Sequence, residues 1–178
     1  MNEEVTVATA DDMRWLGRRL AAVLRAGDVV ILSGPLGAGK TTLTQGIGAG
    51  LGVRGPVTSP TFVIARVHPP LTPARLAASG PAGRGPALVH ADAYRLGSAA
   101  ELDDLDLDAE TGRSVTVVEW GEGLAEGLAE DRLEIAIASA AGGGAPSDGD
   151  SPRMVRISGI GQRWQDIRLP PADVADRL

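Results

Sequence analysis

Lys40 is the single lysine of this chain; the sixteen other basic side chains are all arginine. It stands in Gly34-Pro-Leu-Gly-Ala-Gly39-Lys40-Thr41-Thr42, which satisfies the pattern of a glycine, four residues, then Gly-Lys-Ser/Thr. Each place has a physical task. Glycines let backbone N–H groups turn inward around a phosphate at the positive end of a following helix. The Lys40 ammonium suits β- and γ-phosphate oxygens as a compact point charge, a task that a planar guanidinium does not fit. The Thr41 hydroxyl suits Mg²⁺, and Thr42 supports the phosphates from the first helical turn. Gly37, Ala38, Gly39, Lys40, Thr41 and Thr42 therefore form a candidate cradle for a nucleotide with Mg²⁺.

Chemistry on a terminal phosphate needs a metal support and a group that orients the attacking oxygen. In open α/β sheets such groups lie at the carboxyl ends of strands. Two apolar runs end in an acid, "ALVHAD" at Asp92 and "VTVVE" at Glu119. Either acid alone also reads as a cap or a solvated strand end; two beside a phosphate loop are a stronger signal. "TSPTF", Thr58 to Phe62, follows the loop and its helix, where a segment sensing the γ-phosphate is commonly placed. Ser59 and Thr61 supply hydroxyls and Pro60 stiffens the turn, although the same residues make an ordinary turn. The only Phe (Phe62), the only Tyr (Tyr94) and Trp120 fall in these three segments of a chain with 3% aromatics. They read as walls of the site or as core anchors. His68 and His90 are isolated from other ligand-type residues and read as satisfied or exposed histidines.

The elements that must hold these residues follow from periodicity. "EVTVAT" alternates as a short strand. Thr9 or Asp11 caps a helix whose stripe of Met13, Leu16, Leu20, Val23 and Leu24 runs through Arg25. "DVVILSG" is a continuous apolar run, the pattern of a buried parallel strand, and the loop helix extends to about Leu51. "TFVIARVH", "ALVHADAYRL", "SVTVVEWG", "RLEIAIAS" and "RMVRISGI" read as further strands. "AAELDDLDL" reads as a short acidic helix with a solvated face, and "LAEGLAE" as a weak helical stretch. The Pro/Gly/Ala-rich stretches at 69–86 and 140–152 read as flexible loops within one sheet. The expected fold is α/β: a P-loop NTPase-like three-layer domain with a mixed, mainly parallel sheet, spanning 1–178 as one unit.

Bulk properties narrow the function. The absence of cysteine excludes disulfides, thiol catalysis and Cys-ligated metals. No apolar run spans a bilayer and the acidic N-terminus shows no leader, so the expectation is a cytoplasmic protein with no membrane partner. A net charge of −6 with scattered arginines lacks the basic stripe of a protein that grips nucleic acid on its own. Among nucleotide-binding classes, a guanine-reading Asn-Lys-X-Asp motif is impossible here, because Asn2 is the only asparagine. An "LSGGQ" signature is absent. A small-molecule kinase would need an arginine-rich lid, for which 69–86 offers only Arg75 and Arg84. That reading and a nucleotide-sensing interaction module stay as alternatives.

In order, "GPLGAGKTT", "SPTF", "HADAYRL", "VEWGE" and "EDRLEI" resemble the TsaE family, small bacterial ATPases of tRNA threonylcarbamoyladenosine synthesis. The likeness runs from the first helix to "GIGQRW". It implies ATP and Mg²⁺ as ligands, with Gly37 to Thr42 on the phosphates and Thr41 and Glu119 on the metal. It also implies that Asp92 orients the attacking water, that Trp120 flanks the site, and that Ser59 to Phe62 act as a switch-like loop. The adenine is implied around Thr9 and Asp11. Lys40, Asp92 and Glu119 are thus the candidate catalytic set; which acid supports the metal stays open at this level. The resemblance further implies weak hydrolysis alone and stimulation by two partners, TsaD and TsaB. These form the threonylcarbamoyl-transferase and hold the tRNA, so that tRNA is met indirectly. Two features depart from the family form: both Pro/Gly-rich loops are long, and "HADAYR" carries small residues.

Overall fold

Alternating and continuous apolar runs both find places in one seven-stranded sheet. Its strands are β1 (Asn2–Val7), β2 (Val29–Ser33), β3 (Ala65–His68), β4 (Ala87–Asp92), β5 (Ser114–Glu119), β6 (Arg132–Ser139) and β7 (Arg153–Ile160). The computed structural model describes residues 1–71, 85–104, 112–140 and 151–171. Strand order is β1-β7-β6-β2-β5-β4-β3. β6, β2, β5 and β4 are mutually parallel, while β7, β1 and β3 attach antiparallel to their neighbours. The parallel centre explains the sequence patterns. β2 and β5 are covered on both faces and buried along nearly their whole length, whereas β6, near the open flank, alternates buried with more exposed residues.

Helices α1 (Ala10–Ala21) and α2 (Lys40–Leu51) cover one face. Leu16, Leu20, Leu43 and Ile47 are fully buried there against Val30, Leu32, Val115 and Val117. Each such Leu or Ile contributes about 1.5–3 kcal/mol relative to exposure. α2 carries interior glycines at Gly46, Gly48 and Gly50, each costing about 1 kcal/mol against alanine in helix propensity. The compensation is close packing: a Cβ on Gly46 would collide with the Arg14 carbonyl of α1, and one on Gly17 with the Leu43 carbonyl of α2. On the other face, Val29, Ile31, Val89, Ala91 and Val118 are covered by Leu102 of α3 (Ala99–Asp103) and by Ala125. The result is the α/β three-layer arrangement expected from the sequence.

Several boundaries differ from expectation, each for a local reason. β1 spans Asn2–Val7, not Glu4–Thr9, because Thr9 serves as the N-cap of α1. α1 stops at Ala21 instead of continuing through Arg25: Gly27 reverses the chain at φ 95°, and the Asp28 carboxylate accepts from Arg25 N at 2.8 Å. β3 begins at Ala65, not Thr61, because the Pro60 carbonyl accepts from Val63 N and Ile64 N at 2.8 and 2.7 Å and folds residues 61–64 into a turn. β4 ends at Asp92, whose side chain accepts from Tyr94 N and caps a 3₁₀ turn over Ala93–Arg95. The "LAEGLAE" stretch makes only a 3₁₀ turn, Glu126–Leu128. Most of the two Pro/Gly-rich loops, and the acidic run beyond Asp104, lie outside the described residues. No described helix is long and apolar enough to cross a membrane.

Candidate functional site

The phosphate loop leaves β2 at Ser33 and enters α2 at Lys40. Gly34, Gly37 and Gly39 all hold positive φ there. Gly34 has φ 138° and passes so close to β6 that a Cβ would strike the Ile137 carbonyl; Gly39 has φ 107° and is the N-cap of α2. Because Gly39 offers no side-chain cap, the first N–H groups of α2 stay free for an anion, and the helix dipole favours one. Lys40 is 5% exposed and its Nζ donates to the carbonyls of Gly34 and Pro35 at 2.7 and 2.9 Å. The ammonium also lies 3.7 Å from the Trp120 ring centroid. Burial lowers its pKa from the usual 10.5, while Glu119 and, less strongly, Asp92 act the other way.

β4 and β5 are parallel with Asp92 paired to Glu119, so the two acids stand side by side facing α2. Both are nearly buried, at 4% and 3% exposure. The Thr41 hydroxyl donates to both Glu119 oxygens, at 2.9 and 3.0 Å, and His90 Nε2 lies 2.7 Å from Glu119 Oε1. Asp92 is held differently. Its Oδ2 accepts from the Thr61 hydroxyl at 2.5 Å and faces that of Ser59 at 3.5 Å, and Oδ1 takes Tyr94 N. A further hydrogen bond, Asp92 N to the Ile64 carbonyl at 2.8 Å, ties the 61–64 turn to the end of β4. The cap that the sequence suggested as the ordinary role of a strand-end acid is present at Asp92. It leaves Oδ2 to the Ser59–Thr61 segment.

Ser59, Thr61, Asp92, Glu119 and Trp120 line one open cavity of about 310 Å³ with Leu36 and the loop from Gly37 to Thr42. Among the described residues, no three His, Cys, Asp or Glu side chains converge to hold a metal by themselves. One carboxylate and one hydroxyl fit Mg²⁺, a hard ion that takes its remaining oxygens from phosphates and water. A second cavity, of about 150 Å³, adjoins the loop and is lined by Thr9, Met13, Gly37, Gly39, Thr42 and Arg153 among others. Its size and position beside the cradle suit a base or sugar. Asp11, the other residue expected at the adenine, is not in that wall. Its side chain is 93% exposed and pairs with Arg14 at 2.6 Å.

The sequence model described as "Threonylcarbamoyl adenosine biosynthesis protein TsaE" matches residues 7–144. This chain belongs to the TsaE family. It is 60% identical over 153 residues to the tRNA threonylcarbamoyladenosine biosynthesis protein TsaE of Streptomyces coelicolor, covering 85% of this chain and 93% of that one. With the protein of the same name from Mycobacterium tuberculosis strain H37Rv it shares 51% over 136 residues, covering 73% and 75%. The crystal structure of Bacillus subtilis YdiB superposes with a TM-score of 0.64 at 30% identity, covering 93% of this chain and 91% of YdiB.

For this TsaE-family chain, the structure brings Lys40, Thr41, Asp92, Glu119 and Trp120 into one cavity and sets Thr9 beside the loop glycines. The aromatics are not core anchors. Phe62 and Tyr94 are 87% and 64% exposed, the Tyr94 ring meets that of Trp120 at a tilt of 54° with centroids 5.1 Å apart, and Arg95 lies over Phe62. The large buried aromatic is Trp164. Trp120 takes φ 59°, a left-handed value rare for a side chain of its size, and this turn at the end of β5 carries its ring over Lys40. Two further residues adjoin the site. His90 is fully buried against Glu119, and its signal was its place two residues before Asp92 on the same strand face. Arg153 is 7% exposed with Nε and Nη1 unpartnered at the second cavity; no sequence pattern marks it.

Proposed function

We propose that this protein is an ATPase of tRNA threonylcarbamoyladenosine synthesis, hydrolysing ATP to ADP and phosphate to support turnover of the TsaB–TsaD threonylcarbamoyl-transferase. The observation that carries the reading is the meeting of Lys40, Thr41 and two in-register acids at one helix N-terminus. The role in tRNA modification follows the names carried by its relatives.

In this reading the free N–H groups of α2 and Lys40 bind the β- and γ-phosphates, with Lys40 exchanging its carbonyl partners for phosphate oxygens. Thr41 and Glu119 hold Mg²⁺, which when bound neutralises charge on the transferring phosphoryl group. Asp92 accepts a hydrogen bond from the attacking water and orients it. Ser59 and Thr61 fix Asp92 Oδ2, so the 58–62 segment governs whether that water is aligned. Trp120 and Tyr94 wall the site, and the cavity at Thr9 and Arg153 takes the base. The acidic balance of the chain supports leaving the tRNA to the partners.

The decisive experiment follows phosphate release from ATP with the purified chain alone and with TsaB and TsaD. Slow release alone and faster release with both partners is the expected result. A labelled metabolite in place of free phosphate would point to a kinase, and tight ATP binding with no stimulated turnover to a sensing module; either ends the reading.

A further inference from the structure

We propose that His90 is a positioning residue that fixes the Glu119 carboxylate for the metal ion; this rests on the reading of the site as a Mg²⁺–nucleotide site. Glu119 sits at the last position of β5, immediately before the chain turns away at Trp120. A glutamate at such a strand end has three torsions to settle. Two neighbours settle them here. Thr41 reaches it from α2, and His90 Nε2 reaches Oε1 from β4 at 2.7 Å. A carboxylate offers only lone pairs, so His90 Nε2 is the donor.

The rest of the imidazole does nothing else. It is fully buried, and Nδ1 has no hydrogen-bond partner. A ring kept only for packing would not leave a polar nitrogen stranded, since burying one without a partner is unfavourable. Leu88, two residues earlier on the same strand face, shows that an apolar side chain fits this layer. The contact to Glu119 is therefore what selects histidine. The two donors also differ in permanence. Thr41 is itself a candidate metal ligand, and a hydroxyl that presents its oxygen to a cation must reorient. His90 is behind Glu119, on the strand, and need not move. The carboxylate is thus braced from the side away from the cradle, as outer-shell partners brace ligands at other metal sites.

The test measures affinity for a non-hydrolysable ATP analogue (the β,γ-imido compound) by calorimetry, in chelator and at rising Mg²⁺, for the full chain and three variants. His90→Leu is expected to need about tenfold or more Mg²⁺ for the same tightening, with affinity in chelator unchanged. His90→Gln, whose amide nitrogen reaches as far as Nε2, is expected to restore most of that loss. His90→Asn, one methylene shorter, is not. Gln and Asn carry the same polarity into the same layer, so their contrast decides the matter even if His90→Leu fails to fold. A wild-type Mg²⁺ requirement in His90→Leu or His90→Asn, or equal losses in Gln and Asn, overturns the proposal. If the unaltered chain binds the analogue but gains nothing from Mg²⁺, the positioning role falls while nucleotide binding stands. If it does not bind the analogue at all, the reading of the site falls with it.

Discussion

The carboxyl ends of β4 and β5 look alike in sequence, each an apolar run closed by an acid, and they end side by side with Asp92 opposite Glu119. Their surroundings differ. Glu119 is gripped by Thr41 of α2 and His90 of β4, both on regular elements packed into the core. Asp92 is gripped by Thr61 and Ser59, which belong to a turn with exposed neighbours. In the proposed reading, the difference favours Glu119 as the metal support and Asp92 as the water-orienting group, a division that sequence left open. A metal support benefits from a carboxylate that stays in one place, and a water-orienting group benefits from one whose alignment a loop can set. Both ends share Lys40, whose ammonium feels both acids.

Removing the shared element should have the largest effect. Lys40→Ala is expected to lower ATP turnover by at least about a hundredfold, because the charge that meets the γ-phosphate is gone. The loss should persist at saturating ATP in a phosphate-release assay with partners present. Turnover within a fewfold of wild type would leave neither strand end with a catalytic role.

The next pair separates the two ends. Glu119→Gln is expected to abolish the tightening of nucleotide binding by Mg²⁺. Asp92→Asn should keep that tightening and lower turnover by about 10²–10⁴-fold, the usual range for a lost proton-handling group. Calorimetry with and without chelator, beside phosphate release, reads both. The opposite pattern would exchange the two roles.

How much of this could be read beforehand depended on whether a signal was local. The edges of β2, β6 and β7 follow directly from apolar runs bounded by Gly, Asp and Ser. The phosphate loop is local too, since every residue that shapes it lies within one turn. β3 was misjudged at its start because its composition is strand-like while the Pro60 carbonyl captures two N–H groups that a strand would have used. His90 reads from sequence as a satisfied or exposed histidine; its partner is 29 residues away, and only the β4–β5 register shows that it is satisfied by Glu119. Thr9 and Asp11 were equally plausible beside a base. Helix geometry separates them: Thr9, as N-cap, meets the loop cavity, and Asp11 turns outward to Arg14.

A smaller effect tests whether the turn sets Asp92. Thr61→Val removes the hydroxyl that donates to Oδ2. Hydrogen bonds to charged groups are worth about 1.5–3 kcal/mol, so turnover should fall roughly ten- to a hundredfold if the bond serves alignment. Mg²⁺-dependent binding, which belongs to the β5 end, should not change. A parallel loss of binding would mean that the turn supports both ends.

The smallest expected effect is a pH shift that weighs the two acids against each other. Burial lowers the Lys40 pKa below 10.5, so in the free protein its charge is lost at a lower pH than for an exposed lysine. Bound phosphates favour the charged form, so affinity for ADP falls as pH rises through the free-state pKa. Glu119 and Asp92 each raise that pKa, Glu119 more. Neutralising either acid should therefore move the alkaline decline to lower pH, and Glu119→Gln should move it further than Asp92→Asn. Calorimetric titrations in chelator, from about pH 7 upward, isolate this from any metal effect. A larger displacement in Asp92→Asn would mean that the ammonium answers mainly to the β4 end, and the rigid Glu119 side would lose its claim on Lys40.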